Sequence, residues 1–332
     1  MWRVLNWLQK NLAWSIPLSM LLGLAFGQLA EPAFLRGAIL PLTFLMVYPM
    51  MVTTNVREIF KPGGARLQAV TQGINFVLMP AIGYVLGLLC FADQPMVRLA
   101  LLLAALLPTS GMTISWTGFA KGNVPAAVKM TVIGLLAGSL LAPLYMKLLL
   151  GAVVEIPVLQ VFGQIALIVF LPLVLGTLTQ RWLIARHGDA HFNQKLKPRF
   201  PPLSTLGVLG IVFVSMALKS QDIVARPAQL PGLLWPLLLM YALNFALATA
   251  VGRAWFGRGD AIALVYGTVM RNLSIALAIA MGVFGAAGAD AALLIALAYI
   301  VQVQAAAWYV KLTDRLFGPP PPAAKPAPAK AV

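Results

Sequence analysis

Charge and reactive side chains are what this chain has least of. Only 10% of its 332 residues are charged and 61% are hydrophobic, whereas an ordinary soluble domain carries roughly 25% charged residues. A water-soluble globular domain and a disordered chain are excluded on that ground. One cysteine, Cys90, excludes a disulfide framework and a Cys-based metal cluster. Two histidines, His187 and His191, lie together in a polar stretch and cannot make a three-His site, so they read as a solvated loop. The nine acidic residues all fall in loops or at the ends of apolar runs. With no carboxylate and no His pair inside those runs, acid–base or metal-assisted catalysis has nothing to work with, and no enzyme is expected. No P-loop occurs either, and no cofactor or metal is expected.

What the chain does have is basic charge and long apolar runs. Lys and Arg number 24 against 9 Asp and Glu, for a net charge of +15. In a soluble protein that balance would suggest nucleic acid. Here the basic residues sit in short gaps between apolar runs, which is how a polytopic membrane protein orients itself. The partner implied is the lipid bilayer, and no nucleic acid.

A membrane-spanning helix needs about 20 predominantly apolar residues. Ten candidates occur, at roughly 12–31, 37–55, 67–91, 97–120, 124–150, 156–184, 204–219, 230–256, 260–284 and 288–312. All are expected to be helical, because lipid offers the backbone no hydrogen-bond partners. The seventh is short. Residues 1–11 read as an interfacial lead-in, and the Pro/Ala-rich stretch 317–332 as a disordered or polyproline-like tail. The first run has no prominent small-residue cleavage site and many runs follow it, so it reads as a span and not as a cleaved leader. With the N-terminus inside, four basic residues face outside (Arg36, Arg98, Lys219, Arg226), three lie within spans (Lys129, Lys147, Arg271), and the remaining 17 face inside. That asymmetry predicts both termini in the cytoplasm and a bacterial inner membrane.

The chain also repeats. Ile74-Asn75-Phe76-Val77-Leu78 and Leu243-Asn244-Phe245-Ala246-Leu247 share Asn, Phe and Leu in register at an offset of 169. The two segments lie in spans three and eight, an odd number apart, and so run in opposite directions. This predicts two inverted five-span repeats, 12–155 and 156–316. Span four is interrupted by Leu107-Pro108-Thr109-Ser110-Gly111, and span nine holds Gly267-Thr268-Val269-Met270-Arg271-Asn272-Leu273-Ser274. Polar interruptions at matching places in inverted halves are the sequence mark of a transporter's binding site.

Arg271 is the most informative residue. A guanidinium in a membrane interior costs from about 3 to more than 10 kcal/mol. It must face a partner, a cavity or a ligand, and no acidic residue lies mid-span. Broken-helix carbonyls, which it could cap at a half-helix C-terminus, and an anionic substrate are candidates, with snorkelling to the interface as the alternative. Lys129, about five residues into span five, is either a second buried cation or a side chain that snorkels to the cytoplasmic interface, and Lys147 reads as an interface anchor. Asn75, Asn244, Asn272, Gln72, Thr109, Ser110, Thr113, Ser115, Thr131, Thr268 and Ser274 are polar groups able to line a cavity or to bind helix to helix.

The stretch from Pro108 through Thr109, Ser110, Gly111 and Met112 to Asn123, followed by Ser139-Leu140-Leu141-Ala142-Pro143-Leu144, resembles helices four and five of the bile acid:sodium symporter superfamily. The turn Ala120-Lys121-Gly122-Asn123 is most similar to its arsenical-resistance permease branch. Arg271-Asn272-Leu273-Ser274 with Phe284-Gly285 resembles the ninth helix of both branches. The resemblance implies an all-α polytopic protein of ten helices in two inverted repeats. Spans 1, 2, 6 and 7 form a panel, and the rest form a core in which broken helices 4 and 9 cross at mid-membrane. It also marks departures. Gly267 stands where the symporters carry a sodium-binding Glu, Arg271 where a Gln stands, Ile114 where an Asn stands, Ala127 where a Ser stands and Asn75 where a Gln stands; Thr131 is kept. Thr109 and Ser274 replace the Cys and Glu of arsenite permeases. The expectation is a secondary transporter for a small anionic solute that does not use sodium. Arg271, Asn272, Ser274, Thr268, Thr109, Ser110, Thr113, Asn75 and Asn244 would bind substrate, and Lys129 and Thr131 would serve any proton coupling. An arsenite efflux permease is the alternative substrate reading, and a non-transporting receptor or scaffold the alternative of another class.

Overall fold

In a computed structural model the chain is described for residues 2–54, 62–218, 220–225, 229–285 and 287–319. Several expectations fall on residues outside these: the basic residues Arg57, Lys61, Lys219, Arg226, Lys325 and Lys330, and the Pro/Ala-rich tail from 320 onward. Among the described residues there are helices and turns and no strands. The principal helices are α1 (Trp2–Lys10), α2 (Leu12–Leu29), α3 (Ile39–Thr53), α4 (Ala65–Cys90), α5 (Pro95–Leu106), α6 (Gly111–Phe119), α7 (Val124–Leu150), α8 (Val158–His187), α9 (Phe200–Leu218), α10 (Gln229–Trp255), α11 (Arg258–Val269), α12 (Leu273–Phe284) and α13 (Gly288–Phe317).

By length and apolarity, seven helices among the described residues can each cross a membrane. The expected fourth and ninth spans are not single helices. Each is a pair of half-length helices, α5 with α6 and α11 with α12. The seventh helix is longer than its apolar run suggested, because it begins at Phe200 among prolines and not at 204.

Small residues set the closest approaches. Gly23 and Gly27 of α2 meet the backbone of α9, where an added Cβ would stand 2.4 Å from the Phe213 oxygen and 2.2 Å from the Ala217 oxygen. Gly207 of α9 lies in the same way against Met46 of α3. These are the short helix–helix distances that glycine permits in an apolar setting. The segments leading into the breaks are enclosed: every residue from Val97 to Ser110 and from Ala261 to Leu273 is buried.

α4 contains a π-helical turn, Ile74–Leu78, just ahead of Pro80. Proline has no N–H to give to the carbonyl four residues back, and the hydroxyl of Tyr145 takes that carbonyl, Phe76 O. At the corresponding place in α10, Phe245 O accepts from the Thr249 hydroxyl at 2.6 Å, and Thr249 in turn meets the Tyr309 hydroxyl at 2.5 Å. Each Asn-Phe segment thus has a hydroxyl on its Phe carbonyl, from Tyr145 directly at Phe76 and from Thr249, itself bonded to Tyr309, at Phe245.

Candidate functional site

The break between α5 and α6 follows from Pro108. Proline pushes the residue before it out of helical geometry, and Leu107 sits at φ −96°, ψ 87°. Thr109 takes a left-handed conformation, φ 59°, which costs a residue with a Cβ roughly 1–2 kcal/mol. Its hydroxyl lies 2.7 Å from Pro108 O and 3.3 Å from Thr131 O. The break fits against α7 because Gly134 and Gly138 have no side chains. An added Cβ would stand 2.4 Å from Thr109 Oγ1 at Gly134 and 3.0 Å from Pro108 Cδ at Gly138. α6 then starts with a capping box: Ser110 Oγ accepts from Met112 N, and Thr113 Oγ1 accepts from Ser110 N.

The second break mirrors this. α11 ends at Val269, Met270 is extended, and α12 starts with the Asn272 side chain accepting from Ile275 N at 3.3 Å. The two breaks meet as extended segments. Arg271 pairs with Pro108 in an antiparallel bridge, and Asn272 N donates to Leu107 O at 2.7 Å. Gln302 of α13 supports the crossing from behind. Its Oε1 accepts from Arg271 N at 2.8 Å, its Nε2 donates to Arg271 O at 3.3 Å, and the Tyr241 hydroxyl donates to the same Oε1 at 3.0 Å. A side-chain amide thus completes the peptide pairing that no strand supplies.

The guanidinium of Arg271 is turned into the protein, and the residue is only 1% exposed. Nε donates to Ala104 O at 3.1 Å and Nη2 to Ala105 O. Nη1 donates to Thr268 O at 2.7 Å and to Asn75 Oδ1 at 2.6 Å. Ala104 and Ala105 lie in the last turn of α5, and Thr268 lies in the last turn of α11. Ala104 O has no intrahelical donor because Pro108 has no N–H. Asn75 Nδ2 and Asn244 Nδ2 complete the arrangement, each donating at 2.9 Å, to Gly267 O and Thr268 O respectively. The end of a helix carries roughly half a negative charge, so two converging C-termini about balance one guanidinium. That is how this cation is buried without a carboxylate.

Of the residues expected at the site, Arg271, Thr268, Asn75 and Asn244 converge on these helix ends. Thr109, Ser110, Thr113 and Asn272 form the breaks and the starts of α6 and α12. Thr131 touches Thr109 through its carbonyl while its hydroxyl donates to Ala127 O at 2.8 Å. Ser274 pairs with the Tyr299 hydroxyl. Of the two readings of Lys129, the outward-reaching one matches its geometry. The residue is half-buried near the start of α7, and its Nζ donates to Gly63 O at 3.3 Å, away from the crossing. Four carbons of side chain let it reach outward where a shorter residue would stay inside. The space beside Gly267 is filled, since an added Cβ would stand 2.6 Å from Met130 Sδ.

Gln302, Tyr241 and Tyr299 were not anticipated. A polar amide inside the tenth apolar run was the available signal for Gln302; the tyrosines look like ordinary apolar residues in sequence. Some polar atoms near the breaks stay open: Asn272 Nδ2, Asn244 Oδ1 and both amide atoms of Gln72 are buried without a hydrogen-bond partner.

A sequence model described as the sodium bile acid symporter family matches residues 40–226. An uncharacterized protein of Pseudomonas aeruginosa is 29% identical over 66% of this chain and 66% of its own length. The arsenical-resistance protein Acr3 of Alkaliphilus metalliredigens is 24% identical over 82% of this chain and 80% of its own. Sodium/bile acid cotransporter 7 of Rattus norvegicus is 23% identical over 51% of this chain and 50% of its own.

Proposed function

The chain belongs to the sodium bile acid symporter family, and from that premise we propose that it is a secondary transporter for a small anionic solute that works without sodium. The observation that carries this reading is the placement of Arg271. Its guanidinium occupies the junction of two half-helix C-termini, where carbonyls and helix dipoles favour a cation. Arg271 then acts as a resident cation. At an effective dielectric of 20, a second cation about 4 Å away meets roughly 4 kcal/mol of repulsion, nearly three decades of affinity. Gly267, Ile114 and Ala127 provide no side-chain oxygen where the family resemblance places sodium ligands. If coupling exists it falls to protons; Lys129 and Thr131, the residues the sequence offers for it, both lie on α7, with Lys129 turned toward Gly63 and Thr131 beside Thr109.

The fold proposed is ten spans in two inverted repeats, with both termini on the cytoplasmic face of a bacterial inner membrane. It is supported by the paired breaks, by Ser110 and Asn272 as matched caps, and by the hydroxyl on each Phe carbonyl in the Phe76–Tyr145 and Phe245–Thr249–Tyr309 arrangements. Because the Arg271 guanidinium is committed to carbonyls, it does not clamp the substrate. The anion preference rests instead on the positive ends of α6 and α12 and on the open Nδ2 of Asn272. A second reading, arsenite efflux, is favoured by the Acr3 relative. Arsenite is largely uncharged at neutral pH and would use hydroxyls such as Thr109 in place of a thiol.

The test is uptake into reconstituted vesicles of labelled small carboxylates and arsenite under a sodium gradient, a proton gradient and neither. Accumulation of a carboxylate that is indifferent to exchanging sodium for potassium is expected. Sodium-driven accumulation that potassium cannot support would overturn the reading. Arsenite movement alone would replace the substrate, and no movement of any solute would favour a receptor or scaffold.

A further inference from the structure

Arg98 is a second buried arginine, and it differs from the others. It lies in the first turn of α5, where the turn after α4 enters the broken helix. It is only 7% exposed, its Nε is buried with no hydrogen-bond partner, and no carboxylate pairs with it among the described residues. Its stem lies across Gly87 of α4, where an added Cβ would stand 3.6 Å from Arg98 Cβ and Cγ. Phe91 and Val97, on either side of the turn, are buried as well.

The chain treats its other enclosed arginines differently. Arg271 has the four acceptors described above. Arg258, at the start of α11, donates to Gly318 O and Lys121 O at 2.8 Å, to Ala120 O at 3.2 Å and to Asp314 Oδ1 at 2.6 Å. Arg98 has no such set. Its position compounds the deficit. Helix side chains lean toward the helix N-terminus, so its guanidinium is carried toward the positive end of α5, where a cation is disfavoured. Gln94 makes no side-chain cap there; its carbonyl accepts from Val97 N and Arg98 N at 3.0 Å each, and Pro95 has no N–H. An uncompensated charge in such a place is costly unless an anion completes it.

We propose that Arg98, together with the N-terminal turn of α5, is the seat of a phosphate group. Arg recognises phosphate through a fixed fork of donors, and the helix end adds its positive pole. The phosphate comes either from an anionic lipid headgroup at the membrane boundary or from free phosphate, and the two sources separate experimentally.

The purified full chain has 8 Trp for intrinsic-fluorescence melting. Melting is followed in zwitterionic detergent with inorganic phosphate against chloride at matched ionic strength, and in phosphatidylcholine nanodiscs with and without phosphatidylglycerol. A saturable rise in melting temperature in one of these arms is expected for the wild type. Half-saturation should be at least tenfold weaker in Arg98→Gln and intermediate in Arg98→Lys. The exposed Arg186→Gln should respond like the wild type. A rise with phosphate in detergent assigns free anion, and a rise only with phosphatidylglycerol assigns the headgroup. No rise in either arm, or an equal rise in Arg98→Gln, overturns the proposal. Should Arg98→Gln not fold, native mass spectrometry of the wild type replaces it: retained phosphatidylglycerol or phosphate supports the seat, and retention of neither overturns it.

Discussion

Replacing Arg271 with methionine tests the central physical claim, that one guanidinium holds two helix ends together. Methionine keeps an unbranched, though shorter, side chain and removes every donor. Thr268 O would keep its bond from Asn244 Nδ2. Ala104 O, Ala105 O and Asn75 Oδ1 would each lose the donor that Arg271 supplies. A buried acceptor left without a partner costs roughly 1–3 kcal/mol, so the three together cost about 3–9 kcal/mol. That compares with the roughly 5–15 kcal/mol by which folded proteins are stable. At about 2.1 cal/mol/K of unfolding entropy per residue, a chain of 332 residues shifts by about 1.4 °C per kcal/mol, so the low end corresponds to a fall of about 4 °C. The measurement is a fluorescence melt of purified protein in detergent, with size-exclusion chromatography to confirm a single species. Arg271→Lys should fall between, because Nζ has three donors on a point charge and cannot reproduce the fork. A monodisperse Arg271→Met that melts within about 2 °C of wild type would show that the carbonyls find other partners and that the arginine is not what joins the helices.

Two further outcomes concern packing and orientation. Gly134→Ala should destabilise by roughly 1–3 kcal/mol, because its Cβ would stand 2.4 Å from Thr109 Oγ1, whereas Gly163→Ala, with nothing within 4 Å of the new Cβ, should be neutral or slightly stabilising; melts of both variants check the contrast. In a Cys90→Ala background, a cysteine at Gly188 should react with a membrane-impermeant maleimide only after the cytoplasmic face is opened, and labelling in intact cells would reverse the proposed orientation and remove the charge-bias argument for it.

How much of this was readable beforehand depends on how local the cause is. The apolar runs and the helix breaks at Pro108 and around Arg271 follow from side-chain chemistry within a few residues, whereas Ser110 and Asn272, read as substrate-binding groups, turned out to cap the half-helices. Proline removes a donor wherever it occurs, and a polar interruption inside an apolar run has few ways to be accommodated in lipid. The cost of burying Arg271 was equally plain, which narrowed its partners to carbonyls or a ligand. Lys129 shows the limit: depth counted along a helix does not say which way a long flexible side chain turns, and this one, near the start of α7, reaches Gly63 just ahead of α4.

The choice between carbonyls and ligand for Arg271 belonged to tertiary structure. Ala104 and Ala105 lie more than 160 positions from Arg271, and only the crossing of the two breaks brings the end of α5 to the end of α11. Gln302 was hidden for the same reason, since an amide in an apolar helix reads as glue until the backbone it pairs with is in view. The sequence alone established a helical membrane chain with two breaks and one unpaired mid-span cation. Which charge balances that cation depended on how two helix dipoles point, and orientation in space is set by packing across the whole bundle, not by neighbours in the chain.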